Sequence, residues 1–277
     1  MSYEDILVNV PLVGNSHQVD FALTVAKKFG AHATGICVLP EAAILRDAVQ
    51  SPFILMNEKE ASDTIRLEYE KVAELEKQFT ATAERAGVSH DWRTAEGDPA
   101  EVLLQATRLY NLVIVGQSGT EQDLLWGAAT QLALSGCPTL ILPAGWSRIE
   151  LPQRVLLAWN GSAQSAAAAR SALPLLKTAS TVTVLKGQNR EAPPERMRLT
   201  PVSIETYLSR HGVNVEIADL AEPDADAGEG ILKQAETLKP DMIVMGAYGR
   251  SRFREWVLGG ATRQVLEDMK VPVFMAH

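Results

Sequence analysis

Asp241-Met-Ile-Val-Met-Gly246 decides the architecture, because its pattern stands in the chain twice. The counterpart is Asn111-Leu-Val-Ile-Val-Gly116. Each is a polar residue, an apolar run and a glycine, the pattern of a short strand buried on both faces and ended by a turn. Outward from it, two more segments match in the same order. Ile6-Leu-Val-Asn-Val10 resembles Val155-Leu-Leu-Ala-Trp159 ahead of it, and Cys137-Pro-Thr-Leu-Ile-Leu-Pro143 resembles Val271-Pro-Val-Phe-Met-Ala276 behind it. Ordered matches at a fixed period mark an internal repeat. Between the copies runs Pro143-Ala-Gly-Trp-Ser-Arg-Ile-Glu-Leu-Pro152, proline-flanked and suited to a linker. The repeat predicts two domains, 1–145 and 153–277.

Each copy alternates strand and helix signals. In the second, Arg154–Trp159 reads as strand, Ala-rich Ala163–Leu176 as helix and β-branched Thr181–Lys186 as strand. A helix over 200–211, a strand at Val213–Ile217, a helix at Gly228–Leu238 and strand Asp241–Met245 follow. Helix Arg254–Asp268 and strand Val271–Ala276 close the copy. The first copy keeps this order, with a longer charged helix across Glu58–Arg85. Short apolar strands separated by helices predict a parallel sheet covered on both faces, a doubly wound, Rossmann-like α/β sandwich in each copy. Ligands of such sheets bind outside the carboxyl ends of the strands.

Composition narrows the function. Of 277 residues, 46% are hydrophobic and 22% charged, an ordinary globular balance. The 34 acidic against 26 basic residues leave a net charge of −8, which argues against a broad nucleic-acid surface. No apolar run is long enough to span a membrane, and the acidic start lacks the features of a signal peptide. Cys37 and Cys137 sit in apolar segments without CxxC spacing, which reads as two reduced structural thiols and a cytoplasmic location. The five histidines form no metal-ligand pattern.

The chemistry-bearing segment is Gly246-Ala-Tyr-Gly249-Arg-Ser-Arg-Phe-Arg-Glu-Trp-Val-Leu-Gly259-Gly260-Ala-Thr262-Arg263. It leaves a strand and enters a helix. Glycines let main-chain N–H groups approach a ligand closely, and a helix N-terminus presents more of them. Arg250, Arg252, Arg254 and Arg263 face only Glu255, a local charge of +3 in an acidic chain. Such a reversal suits an anion. Common turn chemistry and arginines on a solvated face are the alternative reading.

The spacing Gly246-x2-Gly249-x9-Gly259 resembles the G-x2-G-x9-G-[S/T] nucleotide signature of the universal stress protein family. Val155-Leu-Leu-Ala-Trp-Asn-Gly-Ser162 and Lys270–Ala276 are similar to that family's first strand and ending. The resemblance spans the second copy, and the chain as a whole is similar to a tandem member. It implies an adenine nucleotide, ATP alone or with Mg2+. Gly246, Gly249, Arg250, Gly259, Gly260, Ala261 and Thr262 would surround the phosphates and ribose. Met245 would lie beside the nucleoside, and Gly187 would offer backbone atoms to the adenine.

Two positions depart from the family. Asn160 stands where Asp is usual; it can hold a ribose hydroxyl but not serve as the main ligand of a divalent cation. As a turn residue before Gly161 it has an equally good alternative role. Gly260 stands where Ser or Thr is usual, removing one phosphate contact worth about 1 kcal/mol. Thr262 is the candidate replacement or, alternatively, a helix N-cap.

The first copy departs further. From the motif glycine to the last strand's proline it spans 22 positions (Gly116 to Pro138), against 26 in the second copy (Gly246 to Pro272). Its loop carries Glu121 and Asp123 with no basic residue, and Pro11 stands in the place of Asn160. It reads as a structural partner. The resemblance implies that Thr139–Leu142 and Val273–Ala276 pair, an intramolecular pseudo-dimer that hides two edge strands. Association of whole chains into a homodimer stays open.

Catalysis finds little support. GxSxG, a Walker loop and GxGxxG after the first strand are all missing, and slow ATP hydrolysis would have no nameable base. Asp224 and Asp226 read as a solvated loop, and no SGGxDS-like loop follows Ile6–Val10 or Val155–Trp159, which disfavours an adenylating enzyme. Trp159 and Trp256 read as stacking on a base or as core contacts. Two functions remain: a stress-response sensor or switch that binds nucleotide in the second copy and acts on an unknown protein partner, or a nucleotide-free scaffold of the same fold.

Overall fold

The computed structural model describes residues 2–12, 17–39, 58–117, 136–187, 202–220, 227–247 and 260–277. The chain divides into two compact units, one of Tyr3–Ser135 with Ala144–Glu150, the other of Met1–Ser2, Gly136–Pro143 and Leu151–His277.

The unit formed largely by the first copy contains β1 (Asp5–Asn9), α1 (His17–Phe29), β2 (His32–Leu39), α2 (Glu58–Ala86), β3 (His90–Glu96), α3 (Pro99–Ala106) and β4 (Leu112–Gly116). Its strands lie in the order β3-β2-β1-β4, all parallel. Ile6–Val8 of β1 and Leu112–Val115 of β4 are apolar on both faces and buried, as a sheet with two covered faces requires. Edge strand β3 is half-exposed and carries His90, Asp91, Arg93 and Glu96. Its Trp92 ring lies over β2 at Gly35, where an added Cβ would stand 2.7 Å from the indole. Phe79 of α2 packs on the same ring with centroids 5.5 Å apart.

The other unit contains β5 (Thr139–Leu142), β6 (Arg154–Trp159), α4 (Ala163–Leu176), β7 (Thr181–Lys186), α5 (Ile204–Arg210), β8 (Val215–Asp219), α6 (Ala227–Leu238), β9 (Met242–Gly246), α7 (Gly260–Asp268) and β10 (Val273–Ala276). The order is β5-β10-β9-β6-β7-β8. All pairs are parallel except β5 with β10, which run antiparallel with Ile141 opposite Val273 and Thr139 opposite Met275. The doubly wound α/β architecture expected from the sequence is present in both units.

The repeat extends to a side-chain device. Asn111, just before β4, accepts the N–H groups of Glu4 (2.9 Å) and Asp5 (3.0 Å) through Oδ1. Asp241, just before β9, accepts those of Gln153 (3.1 Å) and Arg154 (2.9 Å) through Oδ2. The main-chain N–H of each clamp residue returns a bond to the strand start, Asn111 to Asp5 and Asp241 to Arg154. In both units a short polar side chain thereby fixes where the first strand enters the sheet.

Both cysteines are buried and neither is in a disulfide, and burial pushes each thiol up to about 12, with Glu68 adding to the effect at Cys37. Among the described residues no helix is long and apolar enough to cross a membrane.

Candidate functional site

In the second unit the chain lays down β6, β7 and β8 in one direction and then returns to place β9 on the other side of β6. Where the order reverses, connections leave on opposite faces and the carboxyl ends of the two strands part into a crevice. β6 ends there at Trp159, followed by Asn160, and β9 ends at Gly246, followed by Ala247.

Gly246 has a steric reason to be glycine. An added Cβ would come within 2.6 Å of the Gln164 carbonyl carbon and the Ser165 amide nitrogen, main-chain atoms at the start of α4. The same helix start organises Asn160. Its Oδ1 accepts the Ser162 N–H at 3.1 Å across Gly161, whose φ of +76° is the left-handed conformation glycine adopts freely. Ser162 then caps α4 by accepting the Ser165 N–H at 3.1 Å. The turn role of Asn160 is therefore observed, and the residue stays exposed.

Gly187 continues β7 beside this turn. Its N–H donates to the Trp159 carbonyl at 2.8 Å, so the group left to offer a ligand is its own carbonyl. The neighbouring Lys186 forms an ion pair with Glu205, the second residue of α5. Lys186, the helix amide and Ser203 together hold the Glu205 carboxyl down at about 2.

The described part of α7 runs Gly260–Asp268, so Thr262 lies within the helix rather than at its cap, and it is buried. Gly260 is exposed, and an added Cβ there would meet nothing within 4 Å. Ala261 packs towards α6, its Cα 3.0 Å from where a Cβ on Gly228 would stand. Met245 is buried within β9. Arg263 donates to Glu267 one helical turn on at 2.7 Å, so that arginine is committed to its own helix. Gly249, Arg250 and Gly259 lie outside the described residues, as do Trp256, Glu121, Asp123, Asp224 and Asp226.

Two neighbours of the crevice have no place in the motif reading. One is Gln164, packed on Gly246, with its Oε1 buried and without a hydrogen-bond partner among the described residues. The other is His277, whose Nδ1 lies 2.9 Å from the Ala247 carbonyl oxygen. The alignment of the copies sets His277 against Pro143, and that difference is the one sequence signal that could have drawn attention to it.

The corresponding place in the first unit is built otherwise. An added Cβ on Gly116 would run into Gln18 Oε1, the tip of a side chain whose Nε2 donates to the Asn9 carbonyl. Both Gln18 and Asn9 are buried. Pro11 has no side-chain group with which to form the turn that Asn160 forms.

The profile of the universal stress protein family matches residues 152–277. A universal stress protein of Synechocystis sp. (strain ATCC 27184 / PCC 6803 / Kazusa) is 30% identical over 138 residues, 49% of this chain and 45% of that protein. The match thus spans about half the length of that relative. Among solved structures, a universal stress protein from Archaeoglobus fulgidus DSM 4304 superimposes with a TM-score of 0.72 at 19% identity, covering 98% of this chain and 95% of the other. A functionally unknown protein from Pseudomonas aeruginosa PAO1 does so with a TM-score of 0.60 at 16% identity, over 99% and 92%. These two likenesses are of fold. In the C-terminal half, residues 152–277, the universal stress protein family profile and the motif spacing coincide.

Proposed function

We propose that the second copy binds one adenine nucleotide, ATP, and that the chain acts in the cytoplasm as a nucleotide-dependent sensor or switch in a stress response. The observation that carries this reading is the course of the main chain at the reversal point. It leaves β9 at Gly246, which tolerates no side chain, and Gly260, the first described residue of α7, has open surroundings. Helix N–H groups at Gly260 and Ala261, the exposed amide of Asn160 and the carbonyl of Gly187 are donors and acceptors of the kind a nucleotide needs. A directly held divalent cation fits less well, since Asn160 is neutral and its oxygen already accepts from Ser162. The phosphates would be met by the arginines between Gly249 and Gly259, with Arg250 first in order.

The nucleotide-free scaffold is favoured by a different observation: Thr262 and Met245 are buried and Arg263 is paired, which leaves fewer of the candidate groups for a ligand. One titration separates the two. Calorimetry with ATP, with and without Mg2+, should give a single site per chain, and Arg250→Glu should weaken it about tenfold. No saturable heat, or two equivalent sites, would reject the proposal.

A further inference from the structure

Beyond β10, the imidazole of His277 reaches across to the end of β9. Its Nδ1 lies 2.9 Å from the Ala247 carbonyl oxygen, which can only accept, so Nδ1 carries the proton and donates. The Ala247 N–H in turn donates to the Ala276 carbonyl at 2.9 Å. Both polar groups of one peptide unit's residue are thus held by two consecutive residues of the neighbouring strand's end. Ala247 is fully buried, where a lost partner is not replaced by water. It is also the first residue after Gly246, so its orientation sets the direction in which the main chain leaves the sheet. The first copy aligns Pro143 with His277, and proline has no side-chain donor with which to make such a bond.

We infer that His277 is a positioning residue for the nucleotide site: its Nδ1–H fixes the Ala247 peptide and so the direction in which the main chain leaves β9. This rests on the nucleotide reading above for its consequence, though not for its geometry. Pre-orientation lowers the ordering cost that a ligand otherwise meets on binding.

Three variants of the full chain test it. H277A removes the donor, H277N keeps an amide nitrogen near the place of Nδ1, and H277Q carries its amide out towards the place of Nε2. In ATP titrations H277A and H277Q should bind about fivefold more weakly, and H277N within about twofold of the parent chain. Melting temperatures of H277A and H277Q should fall together by about 2–4 °C, and that of H277N by less. In the ligand-free protein, hydrogen exchange of the Ala247 amide followed by NMR should quicken about threefold or more in H277A and H277Q but not in H277N. Unchanged exchange in H277A, or equal behaviour of H277N and H277Q, would overturn the inference whatever ATP does. Should the parent chain fail to bind ATP while the exchange pattern holds, the nucleotide reading falls and the anchoring role stands. Should exchange follow the pattern while all four chains bind ATP equally, the anchor has no part in the site and the inference falls alone.

Discussion

Gly116 and Gly246 occupy one position of the repeat and are glycine for two different reasons. At Gly246 the start of α4 comes down until its main chain touches the strand end. At Gly116 the side chain of Gln18 fills the interval and satisfies the Asn9 carbonyl. A shared glycine therefore carries no information about a shared ligand. The difference lies beside it, in the turn that Asn160, Gly161 and Ser162 build and that Pro11 cannot.

The sharpest test of that contrast is a matched pair of substitutions. Gly246→Ala forces main chain against main chain and should cost about 3 kcal/mol in urea denaturation. Gly116→Ala meets only the movable end of Gln18 and should cost about 1 kcal/mol, the hydrogen bond it displaces. Equal losses would dissolve the distinction. The next largest effect concerns the clamp residues. Asp241→Ala strands two strand-start amides and should destabilise by about 2 kcal/mol, whereas Asp241→Asn installs the first unit's own solution and should cost under about 1 kcal/mol. An asparagine variant as damaged as the alanine one would mean that the charge towards Arg154, 3.6 Å away, matters more than the bonds.

A gain is expected at Gly260. The open space around it admits a serine, and an added hydroxyl at the helix start should tighten ATP about fivefold without loss of stability. Weaker binding in Gly260→Ser would show that the glycine serves the ligand as it is. The smallest effect belongs to Glu205. Its carboxyl is held near 2 against an ordinary value of 4.5, so its contribution is present above 4.5 and lost as pH falls through 2. Glu205→Gln should lower the melting temperature by about 2 °C at neutral pH, and the gap should close by pH 2. A gap that persists in acid would assign the effect to packing instead.

Much of this fold was legible because its strands are short, apolar and bounded by glycine or proline. Ala163–Leu176 and Thr181–Lys186 were readable to the residue, the first because its alanines favour helix and the second because its β-branched residues favour strand. The strand expected at Val213–Ile217 lies at Val215–Asp219, and the cause is local. Val213 is buried and donates to the Leu208 carbonyl at 3.2 Å, so its apolarity serves the end of α5. The edge strand it seemed to begin tolerates Asp219 instead. The helix expected from 200 starts at Ile204, behind the cap Ser203.

The site was legible in its spacing and less so in its contacts. Glycine intervals in a sequence report where a chain turns. They do not report that Thr262 faces inward, that Arg263 is committed to Glu267, or that a histidine after the last strand reaches back across it. Each of those depends on a partner from elsewhere in the fold.

The antiparallel pairing of β5 with β10 also has a consequence for biosynthesis. Thr139 and its partner Met275 are 136 positions apart, so the earlier strand leaves the ribosome long before there is anything for it to join. Until residues 273–276 have been made, one flank of β5 must wait unpaired while the intervening residues are translated. Closing so long a loop is slow. Chaperone dependence, if this chain has any, should concentrate in that interval.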